Sequence, residues 1–216
     1  MLKEQGPLLA LILFIILIYV LQTVLVEWNY SRLMLVPGNF MNAWESLRSG
    51  NISGPTLLEF GPLLSHAFLH GSIGHVFGNM IFLWIFAALT AELLGHRWMF
   101  FTFIFTAICG GICHVALNPG EFVPSLGASG AVTGFEGLYL GMAVRWHLPN
   151  PHIWPMARPV PPAQLAALGI LGLIMDFMGY IGGAMGVAYG AHLGGFIGGM
   201  VLGAAVVPMP RVANIR

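Results

Sequence analysis

The 216 residues are 57% hydrophobic and only 7% charged, with a mean hydropathy of +0.84, against roughly 25% charged residues in a soluble domain. Eight Lys+Arg balance eight Asp+Glu, so no basic face points to nucleic acid and no acidic tail to a cationic partner. A water-soluble enzyme and a nucleic-acid-binding protein are both excluded, which leaves the lipid bilayer as the main solvent.

The first apolar run, Leu8 to Val26, is 19 residues long and is broken only by Gln22 and Thr23. That exceeds the roughly 7–15 residues of a signal-peptide core, and no small-x-small cleavage site follows, so it reads as a retained membrane span. Residues 27–67 form a long loop in which Trp28, Tyr30, Phe40 and Trp44 are scattered among polar groups, as suits a segment at the headgroup level. Five further runs follow at about 68–91, 98–117, 126–146, 163–181 and 187–207, predicting an all-α bundle of six spans in one membrane domain, 1–216. The fourth connection, His147 to Pro162, is Pro-rich. Cys109 and Cys113 are too few for a disulfide framework and read as buried packing residues. With the N-terminus inside, Lys3, Arg97, Arg145, Arg158, Arg211 and Arg216 are cytoplasmic, and Arg32 and Arg48 are outside. This asymmetry predicts that both termini face the cytoplasm.

Polar groups inside spans are costly and mark function by default. The second span carries His70, His75 and Asn79, the fourth opens with Gly127-Ala128-Ser129-Gly130, and the sixth carries Ala191-His192 before Gly194-Gly195 and Gly198-Gly199. Asn79 lies 13 residues before Glu92, Ser129 16 before Arg145, and His192 16 before Pro208. At ~1.5 Å per residue all three sit ~20–24 Å above the cytoplasmic boundary of a ~30 Å core. A serine hydroxyl needs a base to become a nucleophile, and neutral imidazole is the usual one near pH 7; Ser129 and His192 supply the pair. His75, Asn79 and the backbone N–H groups of Ser129 and Ala128 are candidate donors to an oxyanion. Gly195 with Gly199, and Gly194 with Gly198, have the spacing that lets helices approach closely. The bland alternative for each, small-residue packing or interhelical hydrogen bonding, does not require chemically complementary groups at one depth.

His70-x4-His75-x3-Asn79, Gly127-x-Ser129-Gly130 and Ala191-His192-x2-Gly195-x3-Gly199 occur in this order on successive even-numbered spans, with Phe68-Leu-His-Gly and Leu94-Gly95 around the first. In these motifs the chain resembles the rhomboid family of intramembrane serine proteases over roughly half its length. The resemblance implies a six-helix core, a Ser129–His192 dyad, oxyanion stabilisation by His75 and Asn79, and supporting places for His70, Gly127, Gly130, Gly195 and Gly199. It implies the helix at 163–181 as a lateral gate, and single-span membrane proteins as substrates, cut in the outer part of the span. It needs no cofactor or metal; the three histidines make a poor zinc set, and no HExxH pair exists. A bare core of this kind suits a bacterial cytoplasmic membrane.

The chain departs from the family pattern at two places, and Asp176 and Glu136 lie outside its motifs. Gly61-Pro62 stands where members often have Trp-Arg ahead of Ser65, and Thr133 stands where some have a Tyr stacked on the base. Asp176, about 13 residues along the fifth span, reaches the depth of the dyad and reads first as a gate or cavity residue, second as a third catalytic member. Glu136 lies about 10 Å deeper than Ser129 and reads as structural or as a hydration site. An inactive client-binding relative and a small transporter are the rival readings; intact Ser129 and His192 oppose the first, and no internal repeat supports the second.

Overall fold

The computed structural model describes residues 2–25, 30–148, 150, 161–182, 186–210 and 214–215. Trp28, Arg158, Arg211, Arg216 and most of the Pro-rich fourth connection lie outside the described residues.

The described chain is mainly helical. The first apolar run forms α1 (Leu2–Val24), and the loop after it forms three short helices, α2 (Pro37–Arg48), α3 (Gly54–Leu58) and α4 (Pro62–Ser65). The remaining runs form α5 (Ile73–Leu94), α6 (His96–Leu117), α7 (Ser129–Arg145), α8 (Pro162–Ile181) and α9 (Tyr189–Val201), the last ending in a π-helical turn, Leu202–Val206. Four of these helices are long and apolar enough to cross a membrane, at Gln5–Val24, Ile73–Leu94, His96–Leu117 and Tyr189–Val206; Ala163–Gly179 is a shorter apolar helix. The chain is an integral membrane protein.

Two helices start three or more residues later than expected. The second span was expected from residue 68, but a 3₁₀ turn occupies His66–Phe68 and Leu69 is extended. The Ser72 side chain then caps α5 by accepting from the His75 N–H at 3.2 Å. His70 is therefore in the connection and not on the helix. The fourth span was expected from residue 126 and begins at Ser129, because Gly127 takes φ +134°, a left-handed conformation that no helix continues through.

A slab of three helices forms the centre, with α9 wedged between α6 and α7. Its two glycine faces meet different partners. A Cβ added at Gly195, Gly199 or Gly203 would strike the carbonyl of Gly130, Gly134 or Leu138 on α7. One at Gly190 or Gly194 would strike the backbone of α6, and one at Gly198 the Cys109 side chain. In lipid, where burial of apolar groups drives little association, such backbone proximity lets dispersion hold helices together. α5 closes one side of the slab, and α1 packs on α5 through Leu8, Leu11, Ile12 and Ile15, all buried. The opposite face of α1 presents Leu13, Phe14, Leu17, Val20 and Val24 outward, as a lipid-facing surface requires. α8 packs on α7 and α9, and among its described residues only Leu165 and Gly169 are buried.

The first loop is pinned despite Gly61-Pro62. Pro62 opens α4, and its carbonyl accepts from His66 Nδ1 at 2.8 Å. Burial lowers His66 to about 4, which keeps the ring neutral. Ser65 Oγ donates to the Leu33 carbonyl, and Leu35 exchanges backbone hydrogen bonds with Ser125. Gln22, buried on α1, clamps His70 from both sides, accepting from its N–H at 3.2 Å and donating to its C=O at 3.4 Å. Gln22→Ala would orphan two backbone groups at a cost of about 1–3 kcal/mol. The expected result is a lower midpoint of denaturant unfolding for the detergent-solubilised protein.

Candidate active site

The stretch ahead of α7 is fixed from the first loop. Gly127 N–H donates to the His66 carbonyl at 2.9 Å, and Ala128 N–H donates to His70 Nε2 at 3.4 Å. Ala128, expected as an oxyanion donor, is thus already engaged, and His70 acts as its acceptor. Ser129 follows as the first residue of α7 and is partly exposed. Its N–H lies in the first turn, where no carbonyl of the same helix can satisfy it, and the helix dipole favours negative charge there.

His75 and Asn79, one turn apart on α5, converge on the same place. A Cβ at Gly127 would lie 2.7 Å from His75 Nε2 and 3.7 Å from Asn79 Nδ2, so the missing side chain is what admits both groups. Asn79 is 8% exposed, and its Nδ2 has no hydrogen-bond partner. A buried amide without an acceptor costs free energy unless something is meant to occupy its place. The His70 and His75 rings pack edge to face at 5.1 Å.

His192 arrives from α9. Ala191 is in contact with Gly130, since a Cβ at Gly130 would sit 3.0 Å from the Ala191 carbonyl. The residues after the serine and before His192 therefore touch. Ser129 and His192 are not hydrogen-bonded to one another; such contacts often tighten only when substrate is bound. His192 Nδ1 lies 2.6 Å from Asp176 Oδ2 of α8, with the two side chains 14% and 24% exposed. Thr133 Oγ1 lies 3.0 Å from both the His192 and the Gly130 carbonyls, so it ties the backbones of α7 and α9 and leaves the imidazole alone. Tyr189 is edge-on to His192 at 6.5 Å. Glu136 faces α8 at Gly169.

A cavity of about 300 Å³ opens beside these groups, walled by Gly71, His75, His114, Glu121, Leu126 and Ala188 among others. It offers room for water or a peptide segment next to His75. Among the described residues no three His, Cys, Asp or Glu side chains converge as a metal site. Sequence reasoning missed His114, the Thr133 tie and the Gln22 clamp. Only His114 had a visible signal, an imidazole at the end of an apolar run.

A family model described as "Rhomboid domain" matches residues 58–209. Among curated proteins, "RHOMBOID-like protein 12, mitochondrial" from Arabidopsis thaliana is 28% identical over 186 residues, covering 79% of this chain and 51% of that protein. "Putative rhomboid protease YdcA" from Bacillus subtilis (strain 168) is 26% identical over 132 residues, covering 61% of this chain and 64% of that protein. The chain thus spans about half of the first relative's length and under two thirds of the second's.

Proposed function

Since the chain belongs to the rhomboid family, we propose that it is an intramembrane serine endopeptidase cutting single-span membrane proteins in or near the outer part of their span. The carrying observation is the unpartnered Asn79 amide of α5, aimed at Gly127 just ahead of α7, the helix that begins with Ser129 and touches the helix of His192. His192 Nε2 takes the Ser129 hydroxyl proton while Oγ adds to the scissile carbonyl carbon. Negative charge on the carbonyl oxygen is met by Asn79, His75 and the Ser129 N–H. Collapse breaks the C–N bond, and the imidazolium proton goes to the leaving amine. Water from the cavity beside His75 then hydrolyses the acyl ester, with His192 again as base. His70, Gly127, Gly130, Gly195 and Gly199 hold these groups in register.

This reading takes 1–216 as one membrane domain with six spans, the shorter α7 and α8 included, and with both termini cytoplasmic in a bacterial inner membrane. The test is to treat the purified chain with a fluorophosphonate probe and with a model single-span substrate. Labelling and cleavage by wild type support the reading; if wild type does neither, the inactive client-binding alternative replaces it. Within the active enzyme, Asn79→Ala is expected to lower kcat about 10²–10³-fold while leaving probe-independent stability close to wild type. Steady-state cleavage of the same substrate measures it.

A further inference from the structure

The His192 ring has one hydrogen-bond partner among the described residues, the Asp176 carboxylate, at 2.6 Å from Nδ1. So short an approach marks a charge-assisted bond. A carboxylate only accepts, so the bond places the imidazole proton on Nδ1 and leaves the Nε2 lone pair for a substrate-facing task. No other neighbouring group among the described residues does this. Thr133 reaches the His192 carbonyl and not the ring, Tyr189 is edge-on, and the other nearby acid, Glu136, faces Gly169, two helical turns from Asp176. We infer that Asp176 is the positioning residue of His192, so that the base holds its working tautomer only while α8 is docked against α9.

The second half follows from where the carboxylate comes from. Ser129 and His192 stand on helices joined backbone to backbone, whereas Asp176 stands on α8, whose described residues bury only Leu165 and Gly169. Movement of α8 away from α9 would leave the nucleophile and base in place and remove the group that orients the base. The inference rests on the protease reading for its catalytic consequence, but its hydrogen bond can be read without catalysis.

The experiment uses the full chain in detergent with ¹⁵N-labelled histidine, comparing wild type, Asp176→Asn, Asp176→Ala and Asp176→Glu, with His192→Ala to assign the resonance. Expected for wild type is a protonated Nδ1 with a deshielded, hydrogen-bonded proton, absent from Asp176→Asn and Asp176→Ala. Cleavage should then show kcat reduced by at least about 100-fold in Asp176→Asn, whose amide favours the wrong tautomer. KM should change by no more than about threefold, and Asp176→Glu should recover part of the rate. The inference is overturned if the Nδ1 signal survives in Asp176→Ala, or if kcat stays within about threefold of wild type. It is overturned too if KM rises alone, as for a cavity-lining residue, or if rates exceed wild type, as for a residue that merely restrains a gate. A wild type that does not cleave defeats the protease reading, while the NMR comparison still decides the bond.

Discussion

Ser129→Ala is expected to lower cleavage by about 10⁴–10⁶-fold and to abolish fluorophosphonate labelling, with stability unchanged. Removing the nucleophile of a unit that acts in concert forfeits nearly the whole chemical advantage of that unit, because the base and the oxyanion donors have no adduct left to serve. Stability should hold because Ser129 makes no side-chain hydrogen bond among the described residues, and because Gly130, next along, carries the contact with Ala191. His192→Ala should lose about as much activity by the same reasoning, and the double variant should be little worse than either single one. The measurement is single-turnover cleavage of a single-span substrate at enzyme excess. Near-additive losses in the double variant would show that the two residues do not share one step.

Gly199→Ala is expected to cost more than about 3 kcal/mol, an unusual penalty for one methyl group. A Cβ there overlaps the Gly134 carbonyl oxygen and lies 2.9 Å from the Leu138 N. Overpacking of a side-chain core costs about 1–3 kcal/mol because flexible neighbours give way. Here the obstacle is helix backbone, which can give way only by separating α7 from α9 along its length. Gly172→Ala on α8 is the matched control: its Cβ meets nothing within 4 Å, so the change should stay within about 1 kcal/mol and favour the helix if anything. Unfolding midpoints of the two variants in mixed detergent compare them directly. Equal midpoints would mean that the α7–α9 contact is looser than its geometry implies.

Much of the site could be read in the sequence because the expensive groups were few. In a chain with 7% charged residues, a Ser, a His and an Asn at one computed depth stand out, and the turn count that aligned them depends only on helix rise. Gly195 and Gly199 were legible for a related reason, since their spacing matches one face of a helix. Helix ends were less legible. Hydropathy marks where apolar residues begin, whereas a helix begins where a cap or a glycine conformation lets it, and so Ser72 and Gly127 moved the starts of α5 and α7. Asp176 could be given a depth along its span, but depth along a helix says nothing about the direction a side chain takes around it. The 2.6 Å approach to His192 depends on the rotation of α8, which one sequence does not encode visibly. The Ala128–His70 and Thr133–His192 bonds were hidden likewise, because both join segments 58 or 59 residues apart.

The glycine faces of α9 also bear on inhibitor design. With carbonyls of α7 on one side and the α6 backbone and Cys109 on the other, this helix can exchange very little without coming apart, so on the protease reading a reactive warhead aimed at Ser129 meets surroundings with scant room for different side chains. Selectivity has to be found on surfaces that carry side chains: the 121–126 segment and the outward half of α8. A compound that engages the exposed Phe122, Val123 or the α8 residues flanking Asp176 would read side chains and not packed backbone, and it could leave the serine untouched.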